Sequence, residues 1–489
     1  MQHRQRRFVL LTCLILASGS VTAQWSTDTF TGSRAFPSAA TVGDRAFFAG
    51  GTDNVSSVTD VVDIYDANTD TWSTETLPSP RAVMGVAVLG DLVFFAGGGP
   101  SSSSPSAVVD VFDSSSDTWS TATLSQARFF PAGASVGTKV FFAGGDTYAL
   151  ATGPVASAVV DIYDSVLGPP DDPAAWSVGP PLCQARTQLS AVTVGTQVLF
   201  AGGHDFTTSY DNVDIYDEAG GSWSMARLSE PNAKPFGSST SVGSLAFFGG
   251  GQATGFPPFG WSAVVDIYNA QTGEWSTESM SVPRGELCAT AVGDTVLFAG
   301  GATGAQYSPT DVVETYDVTT GQWGPVAHLS QARFYMAATT VAGKALFAGG
   351  ADAPFSSFDV VDVYEPGAWT DLGGGSPGVA GTPWLYGTGS LVGGTSASVA
   401  LRFAPPGALS LAWIALAPTP FAVLEGTVHA YPYTTQLTVV MDPAGSFSGA
   451  ATWPPGLPMG TEAWFQFVVQ DATSVHGITL SNGVLATTP

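Results

Sequence analysis

Positive charge is scarce in this 489-residue chain: 15 Lys and Arg stand against 40 Asp and Glu, a formal net charge of −25. A surface this acidic repels phosphates, so nucleic acid and anionic lipid are not expected as partners. Cysteine is rarer still, with three residues. Cys13 lies near the N-terminus, and Cys183 and Cys288 stand too far apart in pattern to suggest a disulfide scaffold. They are read as two inert buried thiols, with a bridge between them as the lesser alternative. Histidine is also sparse, and the close His/Cys/Asp clustering that a metal site needs is missing. No cofactor is expected. Beyond the first 23 residues no apolar run approaches the roughly 20 residues that span a bilayer, so no membrane insertion is expected of the remainder.

Those 23 residues have a basic start (His3, Arg4, Arg6, Arg7), an apolar stretch from Phe8 to Ala17 and a small-residue end, Val21-Thr22-Ala23. That order reads as a secretory signal peptide cut before Gln24. Loss of its three arginines would move the formal charge to −28. The mature chain is accordingly expected outside the cytoplasm, secreted or at the cell surface, and as a monomer.

What the sequence has in abundance is glycine, proline and apolar residues, with 58 Gly, 33 Pro and 44% hydrophobic content. The mixture implies many short strands joined by turns. Within it one phrase returns seven times: FFAGG at 47–51, 94–98 and 141–145, LFAGG at 199–203, FFGGG at 247–251, and LFAGG at 297–301 and 346–350. A cation stands 16 residues before the first glycine of every pair: Arg34, Arg81, Arg128, Arg186, Lys234, Arg284 and Arg333. A constant length around a short Val-Gly turn is what a tight β-hairpin requires, because a one-residue slip turns every side chain to the wrong face. After a variable stretch comes a second constant block with an acid at its centre: Asp63, Asp110, Asp161, Asp214, Asp266, Glu314, Asp362. A turn and a tryptophan follow each block, the last of them Trp369, and an eighth tryptophan, Trp25, precedes the first cation. Each unit thus holds four strands, a to d, and four-stranded units stacked face to face form a ring of blades.

Glycine pair, tyrosine and tryptophan at these spacings resemble the Kelch repeat, over about residues 25–370. The resemblance implies a seven-bladed β-propeller over 24–370, closed by pairing strands from its two ends. Trp25 and Trp369 both offer the closing strand, and the sequence does not choose between them.

Features shared by all seven units are read as structural. The glycine pairs precede a loop and not a helix, so a phosphate-binding loop is excluded on context. The cation is expected to reach over the glycines to the acid of strand c, a charge-assisted pair repeated in each blade. The alternative is that some of the cations sit at the rim of the mouth and hold an anionic ligand. Loops joining strands d to a and b to c share one face in Kelch propellers that this chain resembles. The b–c loops carry unrepeated side chains, among them Tyr148, His204, Phe206, Tyr210, Trp261 and Tyr307, and aromatics on loops held by a rigid scaffold stack on sugars or anchor proteins. The alternative reading is that they cover blade ends.

The expected function is that of a secreted binding or interaction protein recognising an extracellular glycan or protein through that face. The alternative is a carbohydrate-active enzyme, of lyase, epimerase or glycosidase type, using the same mouth. A copper radical oxidase does not fit, since the propeller holds only His204 and His328 where such a centre needs two histidines, two tyrosines and a cysteine around the metal. After a linker at 371–377, residues 378–489 alternate short apolar runs with Gly and Pro turns, and a small β-sandwich is expected there. Phrases such as GTPWLYGTGSL and SNGVL look like a module appended to secreted bacterial proteins.

Overall fold

The computed structural model describes residues 25–488, apart from 54–56, 150, 152, 231–237, 255–259, 319–320, 325, 353–355, 366–368 and short stretches between 374 and 475. Among them the chain is all β, its one helical piece a 3₁₀ turn at Pro173–Ala175. It divides into two compact units, Trp25–Glu365 and the region after it.

The first unit contains seven antiparallel sheets of the expected four-strand pattern. In the first, Ser38–Val42, Arg45–Ala49, Val61–Asp66 and Thr71–Thr76 pair in chain order. The innermost strands of the others are Gly85–Leu89, Ala132–Val136, Ser190–Val194, Ser239–Val242, Cys288–Val292 and Ala337–Val341. Each packs against the innermost strand of the sheet before and after it, and the seventh packs against the first, so the sheets form a closed ring in the manner of a β-propeller. The outer strand of the seventh sheet is Trp25–Thr29, with Trp25 opposite Tyr364 and Thr29 opposite Val360. The N-terminal segment therefore supplies the closing strand. Trp369–Gly373 pairs instead with Gly483–Thr487 in the second unit, so part of the expected linker is a strand.

The innermost strands are rich in Ala, Ser and Thr because seven of them converge on one axis, where large side chains have no room. Their hydroxyls lace neighbours together: Ser38 Oγ donates to Met84 O (3.1 Å), Thr193 Oγ1 to Ser135 O (2.7 Å), and Thr41 meets Thr339 at 2.7 Å across the seam between first and seventh sheets. Strand b is buried along nearly its whole length, as in Ala46–Ala49, and packs against aromatics of the next sheet. Phe47 meets Phe112 with ring centroids 5.4 Å apart, and Phe141 meets Tyr216 at 4.8 Å. The strand-d tryptophans rest on the strand-c aromatic of their own sheet, Trp72 on Tyr65 at 5.3 Å.

The glycine pairs end strand b where the next sheet comes closest. The second glycine donates its N–H to the backbone carbonyl of the next sheet's arginine: Gly98 to Arg128 (2.9 Å), Gly145 to Arg186 (3.0 Å), Gly301 to Arg333 (2.9 Å). The first glycine sits at φ +61 to +67°, and a Cβ there would fall 2.1 to 2.7 Å from the same carbonyl at Gly50, Gly97, Gly144, Gly250, Gly300 and Gly349. Both conformation and space exclude any other residue.

In the second unit Trp369–Gly373, Gly483–Thr487, Glu462–Gln470, Leu409–Ala415 and Thr435–Val440 form one sheet in that order, with Ile478–Leu480 alongside, while Trp384–Thr388, Ser396–Arg402 and Phe447–Thr452 form another. Leu385 and Leu401 of the smaller sheet share a core with Ala412, Phe467, Val469 and Val484 of the larger.

Candidate functional site

Six of the seven cations lie inside the protein. Arg34, Arg81, Arg128, Arg186, Arg284 and Arg333 are 0–1% exposed. Each reaches the strand-c acid of its own sheet: Arg34 to Asp63, Arg81 to Asp110, Arg128 to Asp161, and, at 2.6, 2.6 and 2.7 Å, Arg186 to Asp214, Arg284 to Glu314 and Arg333 to Asp362. The guanidinium also donates to backbone carbonyls on the way, as Arg128 does to Gly144 and Val159, both at 2.7 Å. Burial pulls Arg34, Arg81, Arg128, Arg284 and Arg333 below their usual pKa, and their carboxylate partners oppose it. The reading of these six as ligands at the rim is therefore corrected: a sealed, paired guanidinium cannot meet a solute. Lys234 lies outside the described residues.

The second carboxylate oxygen accepts a backbone N–H three residues before the arginine, from Thr31, Ser125, Cys183, Ser281 and Ser330. In the second sheet that position is Pro78, which has no N–H, and Asp110 Oδ1 is left buried without a partner. Burial raises the Asp110 pKa.

The arginines place another residue at the mouth. Two positions after each, Phe36, Val83, Phe130, Gln188, Glu286 and Tyr335 adopt φ of 50 to 57°, a conformation non-glycine residues seldom hold. Their neighbours in sequence are buried, while they remain partly open. They are joined around the ring by their own backbones: Tyr335 N–H donates to Glu286 O (3.4 Å), Phe36 N–H to Tyr335 O (2.9 Å) and Phe130 N–H to Val83 O (3.1 Å). Below them is an axial cavity of about 230 Å³ lined from all seven sheets, including Phe36, Met84, Leu189, Ser239, Glu286 and Tyr335. Sequence reasoning missed this ring. Its signal was available, because the second residue after the cation runs Phe, Val, Phe, Gln, Phe, Glu, Tyr through units otherwise alike.

The expected loop residues divide into two groups. Trp261 and Tyr307 join the mouth: Trp261 lies edge-on to Tyr307 at 5.4 Å, and Tyr307 edge-on to Phe334 at 5.0 Å. The Tyr307 and Tyr335 hydroxyls meet at 2.5 Å, and Tyr307 also hydrogen-bonds Glu286. Burial pushes the Glu286 carboxyl up to about 7 and raises both phenols, whose ionisation Glu286 further opposes. His204 also belongs to the mouth, its Nε2 3.1 Å from Gln188 Oε1 while its Nδ1 accepts the Phe206 N–H at 3.0 Å. Because Nδ1 accepts, Nε2 carries the proton and donates to Gln188, and burial lowers the pKa of the ring. The second group lies farther out. Phe206 packs edge-on against His204, the Tyr210 hydroxyl donates to Asp205 at 2.6 Å, and Tyr148 stands 37% exposed on a hairpin of Asp146–Ala149 with Gly153–Ala156. At the base of that hairpin Asp146 is buried, accepts from Thr187 Oγ1 at 2.6 Å and is raised to about 6.

Both thiols are free, as expected, but Cys183 is exposed and only Cys288 is buried.

Comparison with known proteins agrees with this architecture. The model of the Kelch motif matches residues 33–76 and 185–227, each running from a buried arginine to the end of a strand d. A Kelch-like protein, terF, of Aspergillus terreus is 30% identical over 115 residues, which is 20% of this chain and 25% of the relative. The aligned part thus spans a quarter of that protein's length. These matches support a Kelch repeat fold, a type of repeat associated with protein interaction.

Proposed function

We propose that the chain is a secreted binding protein that takes an extracellular protein or glycan at the end of the ring where the glycine pairs, the b–c loops and the residues at positive φ converge. The observation that carries this reading is where the sheets differ. Their cores and buried ion pairs repeat, whereas the positive-φ residues two places after each buried arginine do not, and four of them, Phe36, Val83, Glu286 and Tyr335, line the axial cavity. Strain kept at unrepeated positions around a cavity is what a recognition site built on a rigid scaffold looks like. Secretion rests on the leader-like order of residues 1–23.

The enzyme reading keeps one observation in its favour: a carboxyl poised near neutrality beside two phenols resembles an acid–base pair. The six buried arginines, however, are unavailable to hold a substrate carboxylate.

The test is a panel of extracellular polysaccharides and purified surface proteins, measured against the full chain and against Gln188→Ala and Tyr148→Ala. A ligand that weakens at least fivefold in either variant supports the reading. Ligands that bind both variants as well as the parent place recognition elsewhere and overturn it. Turnover of a bound saccharide, lost in Glu286→Gln, would move the assignment to the enzyme.

A further inference from the structure

The axial cavity has an acid in its wall and no described cation turned toward it. Among the described residues, the Glu286 carboxyl has the Tyr307 hydroxyl as its hydrogen-bond partner and no charged group shifting it. The groups facing it are the phenols of Tyr307 and Tyr335. Arg284, two residues before it, is turned to Glu314, and Arg333, on the neighbouring sheet, to Asp362. A carboxyl held among apolar groups without a cation is costly to ionise, unless a ligand supplies the missing charge.

What lies beside it suits one class of ligand. The ring of Phe36 is stacked on Tyr335 with centroids 3.9 Å apart and planes 28° from parallel, and both residues line the cavity with Glu286. Trp261, Tyr307 and Phe334 back this wall. An aromatic face attracts a cation within about 6 Å of its centroid, and more strongly where water is excluded. An anion would meet only the carboxyl's repulsion. The cavity's roughly 230 Å³ falls below the 300–1,000 Å³ of a drug-sized ligand's pocket, so one small group enters and a longer chain does not.

We infer that the axial cavity receives an alkylammonium group, seated between the Glu286 carboxylate and the stacked rings of Phe36 and Tyr335. The inference rests on the reading of this end of the ring as the ligand face and names the chemistry that enters its centre. Binding stabilises the ionised carboxylate, so the ammonium ion is bound more tightly at pH 8 than at pH 5, with release of the Glu286 proton when binding occurs near neutrality.

The full chain is titrated at pH 8 with n-butylammonium, with 1-pentanol as the neutral counterpart and butyrate as the anion. Saturable binding of butylammonium alone is expected, about tenfold weaker in Glu286→Gln, which keeps the shape and the hydrogen bond to Tyr307 but not the charge. Phe36→Leu, which removes one ring and keeps the charge, should weaken it less. An unfolding midpoint for Glu286→Gln at or above that of the parent shows that the variant is folded. Nα-acetyl-lysinamide separates the sources: binding like that of butylammonium marks a lysyl side chain of a partner, and failure to bind marks a free amine. The inference is overturned if butylammonium does not saturate by about 100 mM, if pentanol binds equally well, or if Glu286→Gln binds unchanged. Those results leave the panel measurements with Gln188→Ala and Tyr148→Ala standing, so the two readings fail separately.

Discussion

The N–H of Gly350 donates to the carbonyl oxygen of Arg34 at 2.9 Å, tying the last sheet of the ring to the first. The same arginine holds Asp63 with its side chain. One residue thus serves two sheets, by its backbone toward the sheet before and by its guanidinium within its own.

Gly350 sits at φ +101°, and a Cβ there would lie 2.6 Å from Met336 Cγ and 2.7 Å from Phe334 O. Gly350→Ala should therefore cost about 2–4 kcal/mol, combining strain at positive φ with a clash against the segment that leads into strand a of its own sheet. Glycines at exposed turns, such as Gly343 with open space around it, should cost about 1 kcal/mol when replaced by alanine. Urea unfolding of the two variants compares them directly.

Asp161→Asn should destabilise by about 3–5 kcal/mol, since it leaves the Arg128 guanidinium buried without its counter-charge. Asp110→Asn should cost less, because one oxygen of Asp110 already lacks a partner. Pro78→Ser should stabilise by about 1 kcal/mol through the N–H it returns to that oxygen, offset in part by a looser unfolded chain. Equal losses for the two asparagine variants, with no gain from Pro78→Ser, would refute this account of the second sheet.

The stability that Asp146 and Glu286 contribute should fall as pH rises from about 4 to 7, while His204, lowered by burial, contributes in the opposite sense across its own titration. Asp146 and Glu286 are raised in the folded protein to about 6 and about 7, above their ordinary values of 3.8 and 4.5. Over that window the folded state holds protons that the unfolded chain has lost, so each pH step favours unfolding. Asp146→Asn and Glu286→Gln should each flatten the decline, measured as unfolding midpoints from pH 4 to 8. Asp205, held below its ordinary range by Thr207, Thr208 and Tyr210 although burial opposes them, acts in the opposite sense only at lower pH.

Thiol labelling should separate the cysteines. Cys183 is exposed and should be alkylated in the native protein, slowly, because partial burial and the nearby Asp214 raise its pKa. Cys288 is sealed in a core with its pKa pushed up to about 12 and should react only after unfolding. Peptide mass spectrometry after labelling with and without denaturant reads both.

Much of the first unit was legible in the sequence because a repeat multiplies weak signals. One FFAGG is ambiguous, but seven at a fixed distance from a cation specify hairpin, glycine approach and ion pair together. The closing strand was not legible, since Trp25 and Trp369 carry the same local pattern and only partners distant in sequence choose between them. The mouth was hidden for a different reason. Glu286 and Tyr335 look like noise in their units, and their meaning comes from the ring that brings them around one axis. Tyr307 could be seen as a loop aromatic, yet its hydrogen bonds to Glu286 and Tyr335 join residues from two sheets that no spacing in the sequence relates.

The strand Trp25–Thr29 is the outer strand of the sheet completed by residues near 360. Synthesis makes it early and its partner, Val360–Tyr364, last among the strands of the ring. Until the final hairpin emerges, the earliest strand has nowhere to dock, and the seam at which Gly350 meets Arg34 stays open. A chain released before about residue 364 would therefore carry two exposed sheet edges facing one another, which favours joining to another such chain. For this protein, the emergence of the strand Val360–Tyr364, well before the 489-residue chain is finished, is what shuts off self-association.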